Sequence, residues 1–290
     1  MILKLIFCDI ASQKQIYKLI FDNYYILFVL FIHLKLINQK QMIQQIKYYN
    51  KLEEFLNSPL QSQQVLHINL NGNQIGAMGA SYLVSSLAKC INLSNLTLDL
   101  CGNQIGAIGA SDLGSGLAKC INLSKLALQL GCNQIGAMGA SYLVSALAKC
   151  INLSNLTLDL CSNQIGDQGE SELGSALGKC INLSNLTLQL GSNQIDDKGL
   201  QSLCHDLSKC INLSNLTLYL NHNQIGDEGT SDLGSALAKC INLQNLTLNL
   251  FGNQIGAIGA SILGLGLEKC ISLSNLILEL GQKAFIYYGL

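Results

Sequence analysis

The sequence predicts an α/β solenoid of 30-residue units, each made of one strand, one turn and one helix. Three observations predict it. The tripeptide Asn-Gln-Ile recurs with its asparagine at Asn73, Asn103, Asn133, Asn163, Asn193, Asn223 and Asn253, with no slip and no insertion. Each copy passes through two hydrophobic rhythms, first that of a strand and then that of a helix. A copy this short cannot bury enough apolar surface to stand alone, so neighbours must stack into one continuous core.

Residues 1–40 do not repeat. Their apolar run from Tyr24 to Ile32 extends to Ile37 only across His33 and Lys35, and it falls short of the roughly 20 residues a membrane span needs. Asp9 and Asp22 precede it, which disfavours a signal peptide, and membrane association through residues 24–37 is not favoured. Residues 41–62 place Met42, Ile43, Ile46 and Tyr49, then Leu52 and Phe55, at helical spacing, and are expected to form a helix that caps the first strand. Residues 63–282 hold seven full copies and part of an eighth. In the copy from Leu93 to Asn122, Leu96, Leu98 and Leu100 alternate with Thr97 and Asp99, the pattern of a strand with one buried face. Ala110, Leu113, Leu117 and Cys120 then follow at helical spacing, with Gly102 and Gly106 as the turn residues between and Ile105 as an inward plug. The stretches Asn73 to Cys101 and Asn133 to Cys161 differ only at Ser86 against Ala146, so part of the array was copied as a 60-residue block. The eighth copy has Lys283 where the asparagine should stand, and residues 283–290 form an apolar tail that either folds over the last copy or marks a chain that is part of something longer.

The pattern L-x-L-x-x-N-x-I, carried here by Leu98, Leu100, Asn103 and Ile105, resembles the leucine-rich repeat, and the helical second half resembles its ribonuclease-inhibitor-like subfamily. That resemblance implies a horseshoe with a parallel sheet on the concave side and helices on the convex side. It also implies that partners bind the concave face. The family's first leucine would fall at Asn95, flanked here by Leu93 and Leu96, so the strand is expected to be one residue pair longer than usual.

Several ladders run through the copies. A buried asparagine at the turn can satisfy backbone groups of its own and neighbouring copies, so the seven turn asparagines are read as structural. Cys90, Cys120, Cys150, Cys180, Cys210, Cys240 and Cys270 share one place in the copy and are expected to be reduced, buried packing groups, because adjacent helices sit too far apart for disulfides. Cys101, Cys132 and Cys161 lie at the strand-to-turn corner without a CxxC pair, and no metal site is expected. Lysines at 89, 119, 149, 179, 209, 239 and 269 complement helix C-termini, while Asp167, Glu170, Asp196, Asp197, Asp227 and Glu228 suit helix starts. Repeated Asn-x-Ser/Thr sequons would set glycans against stacking surfaces, and with unpaired cysteines this favours a cytoplasmic setting, a nuclear one being compatible.

Function is expected on the outward strand positions. Asp99, Gln129, Asp159, Gln189, Tyr219 and Asn249 form one row, and Asn221, His222 and Phe251 diverge from the common residues at neighbouring strand ends, giving aromatic anchors with a polar rim. Asp99 and Asp159 fall about 10 Å apart at about 4.8 Å per strand, but nothing nearby would raise a pKa, so no catalytic pair is read there. A net charge of −1 offers no argument for nucleic acid, and the absence of arginine removes any mechanism needing a guanidinium. No catalytic constellation, cofactor motif or small-molecule substrate site appears. The expected function is a non-enzymatic scaffold for a protein partner. Two alternatives carried by resemblance are a small-GTPase regulator like Ran GTPase-activating proteins, without their acidic tail, and the recognition part of a larger kinase or nucleotide-binding receptor.

Overall fold

The computed structural model describes residues 46–60, 62–281 and the backbone of 285–289. The apolar run of residues 24–37 and the other expectations for residues 1–45 lie outside them. Strand β1 (Ile46–Tyr49) and a short helix α1 (Leu52–Leu56) precede the array. Then strands alternate with helices: β2 (Val65–Asn69), α2 (Gly76–Leu87), β3 (Asn95–Asp99), α3 (Gly106–Leu117), β4 (Lys125–Gln129), α4 (Gly136–Leu147), β5 (Asn155–Asp159) and α5 (Gly166–Leu177). The series continues through β6 (Asn185–Gln189), α6 (Asp197–Leu207), β7 (Asn215–Tyr219), α7 (Asp227–Leu237), β8 (Asn245–Asn249), α8 (Ala257–Leu267) and β9 (Asn275–Glu279). Strands β1 to β9 pair in chain order as one parallel sheet, and β10 (Phe285–Gly289) closes it antiparallel to β9.

Register follows the repeat. Leu96 pairs with Leu126 and Leu98 with Leu128, so every copy sends its leucines to the same face. Those leucines, with Leu83, Leu87 and Ile105 and their counterparts, form one buried core between the sheet and the helices.

Two expectations are corrected. Residues 41–62 are not one capping helix: Ile46–Tyr49 is an extended strand paired in parallel with β2, and the helix is confined to Leu52–Leu56. The exposed edge of β2 offers unpaired backbone groups, and satisfying them outweighs the helical spacing of Ile46 and Tyr49. Phe55, fully buried, does reach the core, with Tyr49 edge-on against it at 5.3 Å. Nor is the strand of each copy longer at its start. It has five residues, and Leu93 enters the core from the turn ahead of it.

The turn asparagines join consecutive copies. Asn163 Oδ1 accepts the backbone N–H groups of Asn133 (3.0 Å) and Ile135 (3.2 Å), while its Nδ2 donates to the carbonyls of Leu130 (2.9 Å) and Cys161 (3.0 Å). One side chain thereby satisfies groups in two copies. The cysteine ladder lies just past each helix rather than on it. Cys120 and Cys150 donate their thiols to the carbonyls of Leu87 (3.7 Å) and Leu117 (3.6 Å) in the preceding copy, groups that a helix C-terminus leaves without an intrahelical partner.

Two kinds of corner lead into the helices. In the first four copies a glycine with positive φ opens the helix, as at Gly106 (φ 65°). In the last three the equivalent residue is extended, as at Gly226 (φ −107°). The switch follows an aspartate in the preceding copy: Asp167 accepts the N–H of Asp196 (2.9 Å), Asp197 that of Gly226 (2.6 Å) and Asp227 that of Gly256 (2.7 Å). Earlier copies have alanine at that place and cannot draw the next corner inward. Of the acidic residues at helix starts, Asp196 caps its own helix, as expected, and Asp167, Asp197 and Asp227 serve the start of the next one.

Candidate functional site

The outer face of the sheet, away from the helices, is a grid of three rows. The first runs through Asn95, Lys125, Asn155, Asn185, Asn215, Asn245 and Asn275, and its asparagines form a side-chain ladder: Asn185 Nδ2 donates to Asn155 Oδ1 at 2.6 Å, and Asn215 to Asn185 at 2.5 Å. The second row is threonine at 97, 157, 187, 217 and 247, with Ala127 between the first two. The third is the expected row. Asp99, Gln129, Asp159, Gln189, Tyr219 and Asn249 are register partners in one unbroken line, all partly exposed.

Part of this row serves the turn. Asp99 Oδ1 accepts the N–H of Cys101 (3.0 Å), Asp159 Oδ1 that of Cys161 (2.9 Å) and Asn249 Oδ1 that of Phe251 (2.9 Å), so these short side chains close the corner after their own strands. Gln129, Gln189 and Tyr219 are too long for that geometry. Asp99 and Asp159 are separated by Gln129, and each accepts a backbone N–H of its own turn.

The divergent residues cluster beyond β7 and β8. The His222 and Phe251 rings meet edge-on at 5.2 Å with an interplanar angle of 84°, and the His222 N–H donates to the Phe251 carbonyl at 2.8 Å. His222 holds φ at +55°. Gly252 beside it has φ +73°, and a Cβ there would come within 2.5 Å of His222 Nδ1, so this glycine makes room for the ring. Asn221 folds over Gly191, where a Cβ would lie 3.0 Å from its amide. Tyr219 is the register partner of Asn249, and Asn249 Nδ2 donates to Glu279 Oε2 at 2.6 Å. The nine expected residues thus form a row with a cluster at one end.

The other end holds residues that the repeat pattern does not point to. Tyr48 and His67 stack tilted at 5.0 Å beside a cavity of about 550 Å³, bordered by Glu54, Asn69, Asp99 and Gln129. Reading Ile46–Tyr49 as helix conceals this platform; the aromatic and β-branched run Ile-Lys-Tyr-Tyr is the signal that exposes it. Among the described residues no three His, Cys, Asp or Glu side chains are placed to hold a metal.

A family model described as Leucine Rich repeat matches residues 61–84, 152–174, 182–204, 212–234 and 242–264. Each match spans one strand, its asparagine corner and most of a helix. Those five copies are leucine-rich repeats. The leucine-rich repeat array is also similar to the crystal structure of an internalin from Listeria monocytogenes, at 19% identity and a TM-score of 0.34 over 77% of this chain and 76% of that one. No curated protein matches the chain. No helix among the described residues is long and apolar enough to cross a membrane.

Proposed function

We propose that this leucine-rich repeat array is a non-enzymatic scaffold that holds a protein partner against the outer face of its sheet. The carrying observation is the shape of the candidate surface: a register-locked polar row with an aromatic pair towards each end, Tyr48 with His67 and His222 with Phe251, and with Tyr219 in the row itself. Aromatic anchors flanked by polar groups are the arrangement that supplies most binding energy in protein interfaces. A helix of 11 or 12 residues in every full copy supports assigning the array to the ribonuclease-inhibitor-like subfamily. A reducing compartment such as the cytoplasm agrees with a cysteine ladder whose thiols serve as donors to buried carbonyls.

The test is affinity capture with the full chain from a native lysate, comparing the wild type with Y219A/H222A/F251A and with Y48A/H67A. A partner recovered by the wild type and lost by either variant supports the reading. A partner that both variants hold as well as the wild type disproves outer-face recognition.

A further inference from the structure

All seven helices α2–α8 run the same way, so their C-termini share one rim of the array. On that rim a short turn follows each helix, reading Lys-Cys-Ile-Asn in six copies and Lys-Cys-Ile-Ser in the last. The cysteine is buried, and the lysine and isoleucine on either side of it are exposed in every copy. The isoleucines at 91, 121, 151, 181, 211, 241 and 271 keep 58–86% of their surface in water. The turn is tight: the Ile151 N–H donates to the Lys149 carbonyl at 3.0 Å, and Ile211, Ile241 and Ile271 repeat the bond. Successive turns are also tied together, since Asn152 Nδ2 donates to the Ile121 carbonyl (3.0 Å) and Asn182 Nδ2 to that of Ile151 (2.8 Å). The seven isoleucines are thus one ridge, with a row of seven lysines alongside.

The near-zero net charge conceals this separation. The opposite rim, where helices begin, carries Asp167, Asp196, Asp197, Asp227 and Glu228. On the lysine rim Asp206 is paired with Lys209, and Glu268 precedes Lys269; among the described residues the other six lysines make no ion pair. Helix dipoles explain lysines at C-termini. They do not explain an isoleucine held in water beside each one. A soluble polyanion would use the lysines alone, whereas an anionic bilayer uses both rows: headgroup phosphates and carboxylates take the ammonium groups, and the acyl boundary takes the branched chains. We propose that this rim is a docking surface for an anionic lipid bilayer, on which the array stands with the isoleucine ridge at the headgroup–acyl boundary.

The test uses the full chain with vesicles of phosphatidylcholine, with and without phosphatidylserine, in a sedimentation assay. The wild type should bind the phosphatidylserine vesicles and be released by salt. K119Q/K149Q/K179Q should weaken binding about a hundredfold, at about fivefold per lysine. I121S/I151S/I181S should weaken it by at least about tenfold, because the apolar insertion is lost. The chain contains no tryptophan, so I181W supplies a lone reporter whose emission should shift to the blue on phosphatidylserine vesicles and stay unchanged with heparin. Absence of binding to phosphatidylserine vesicles overturns the proposal. So does binding that both triple variants retain, which would place it elsewhere on the chain. Binding lost with the lysines but kept with the serines would mark a site for soluble polyanions and likewise overturn it. Circular dichroism checks the fold, and if a triple variant unfolds, the presence or absence of the I181W shift decides.

Discussion

Cys101 donates its thiol to Asp159 at 3.9 Å, reaching over strand β4 to a carboxylate two strands away. Gly131 makes the approach possible, since a Cβ there would stand 3.3 Å from Asp159 Oδ2 and 3.5 Å from Cys101 Sγ. Burial, followed by the carboxylates of Asp99 and Asp159, pushes the Cys101 thiol up to about 12. It should stay protonated and slow to alkylate at neutral pH, whereas the exposed Cys132 should be modified by iodoacetamide first. Mass spectrometry of a time course distinguishes the two; equal rates would contradict the arrangement.

The buried cysteine ladder should make the fold sensitive to alkali. Burial pushes Cys90, Cys120, Cys180 and Cys240 up to about 11, and Cys150 and Cys210 up to about 12. An unfolded thiol ionises near 8.5. Above that pH the unfolded chain releases protons that the folded chain retains, so stability is full below about pH 8.5 and declines as pH rises towards 11 to 12. Each thiol contributes about 1.4 kcal/mol per pH unit within that window. Urea midpoints between pH 7 and about 10.5 should fall steeply above pH 9, and a flat profile would refute the burial argument.

Asn163→Ala should cost about 2–4 kcal/mol, because it strands the buried N–H groups of Asn133 and Ile135, while the carbonyls of Leu130 and Cys161 keep a second donor. Asn73→Ala, whose exposed amide donates only to the Asn71 carbonyl, should cost less than about 1 kcal/mol. Chemical denaturation of the two variants gives the comparison directly.

Helix packing yields opposite outcomes for two glycines two residues apart, on different faces of one helix. A Cβ on Gly266 would stand 2.6 Å from the backbone of Gly234, so Gly266→Ala must separate α7 from α8 and should destabilise by about 1–3 kcal/mol. Gly264 has nothing within 4 Å, and Gly264→Ala should stabilise by about 0.5–1 kcal/mol through helix propensity. Thermal midpoints that move in the same direction would rule this out.

Asp197→Ala removes acceptors from Gly226 (2.6 Å) and Gly229 (2.9 Å) of the next copy. A loss of about 1–2 kcal/mol is expected, typical of a helix cap. Faster amide exchange should appear at the start of α7, one copy beyond the substitution; confinement of the change to α6 would argue against capping across copies.

Much of the array could be read directly from its periodicity. Seven repetitions fix the inward leucines, and the turn asparagine follows from the need to satisfy bent backbone. The outward row was legible for the same reason, since alternation assigns Asp99 and Gln129 to the face opposite Leu98 and Leu128. What escaped has no copy to compare or depends on contacts between copies. Strand β1 occurs once and is decided by the free edge of β2 rather than by its own spacing. The turn duty of Asp99 depends on one oxygen meeting an N–H two residues on, and the capping by Asp197, where an earlier copy has Ala107, depends on N–H groups that the next copy presents to it. Nothing in the sequence alone joins Tyr48 to His67, which are brought together by pairing at the edge of the sheet.

The asparagine bonds also have a direction. Asn103 completes the turn at Asn73 and Ile75, Asn133 the turn at Asn103 and Ile105, and so on to Asn253, which serves Ile225. Each turn is therefore finished by the copy that follows it, and the turn at Asn253 has only Lys283 where the next asparagine would stand. Dependence in such an array runs one way: a copy that opens removes the clasp from the turn before it and leaves the turn after it complete.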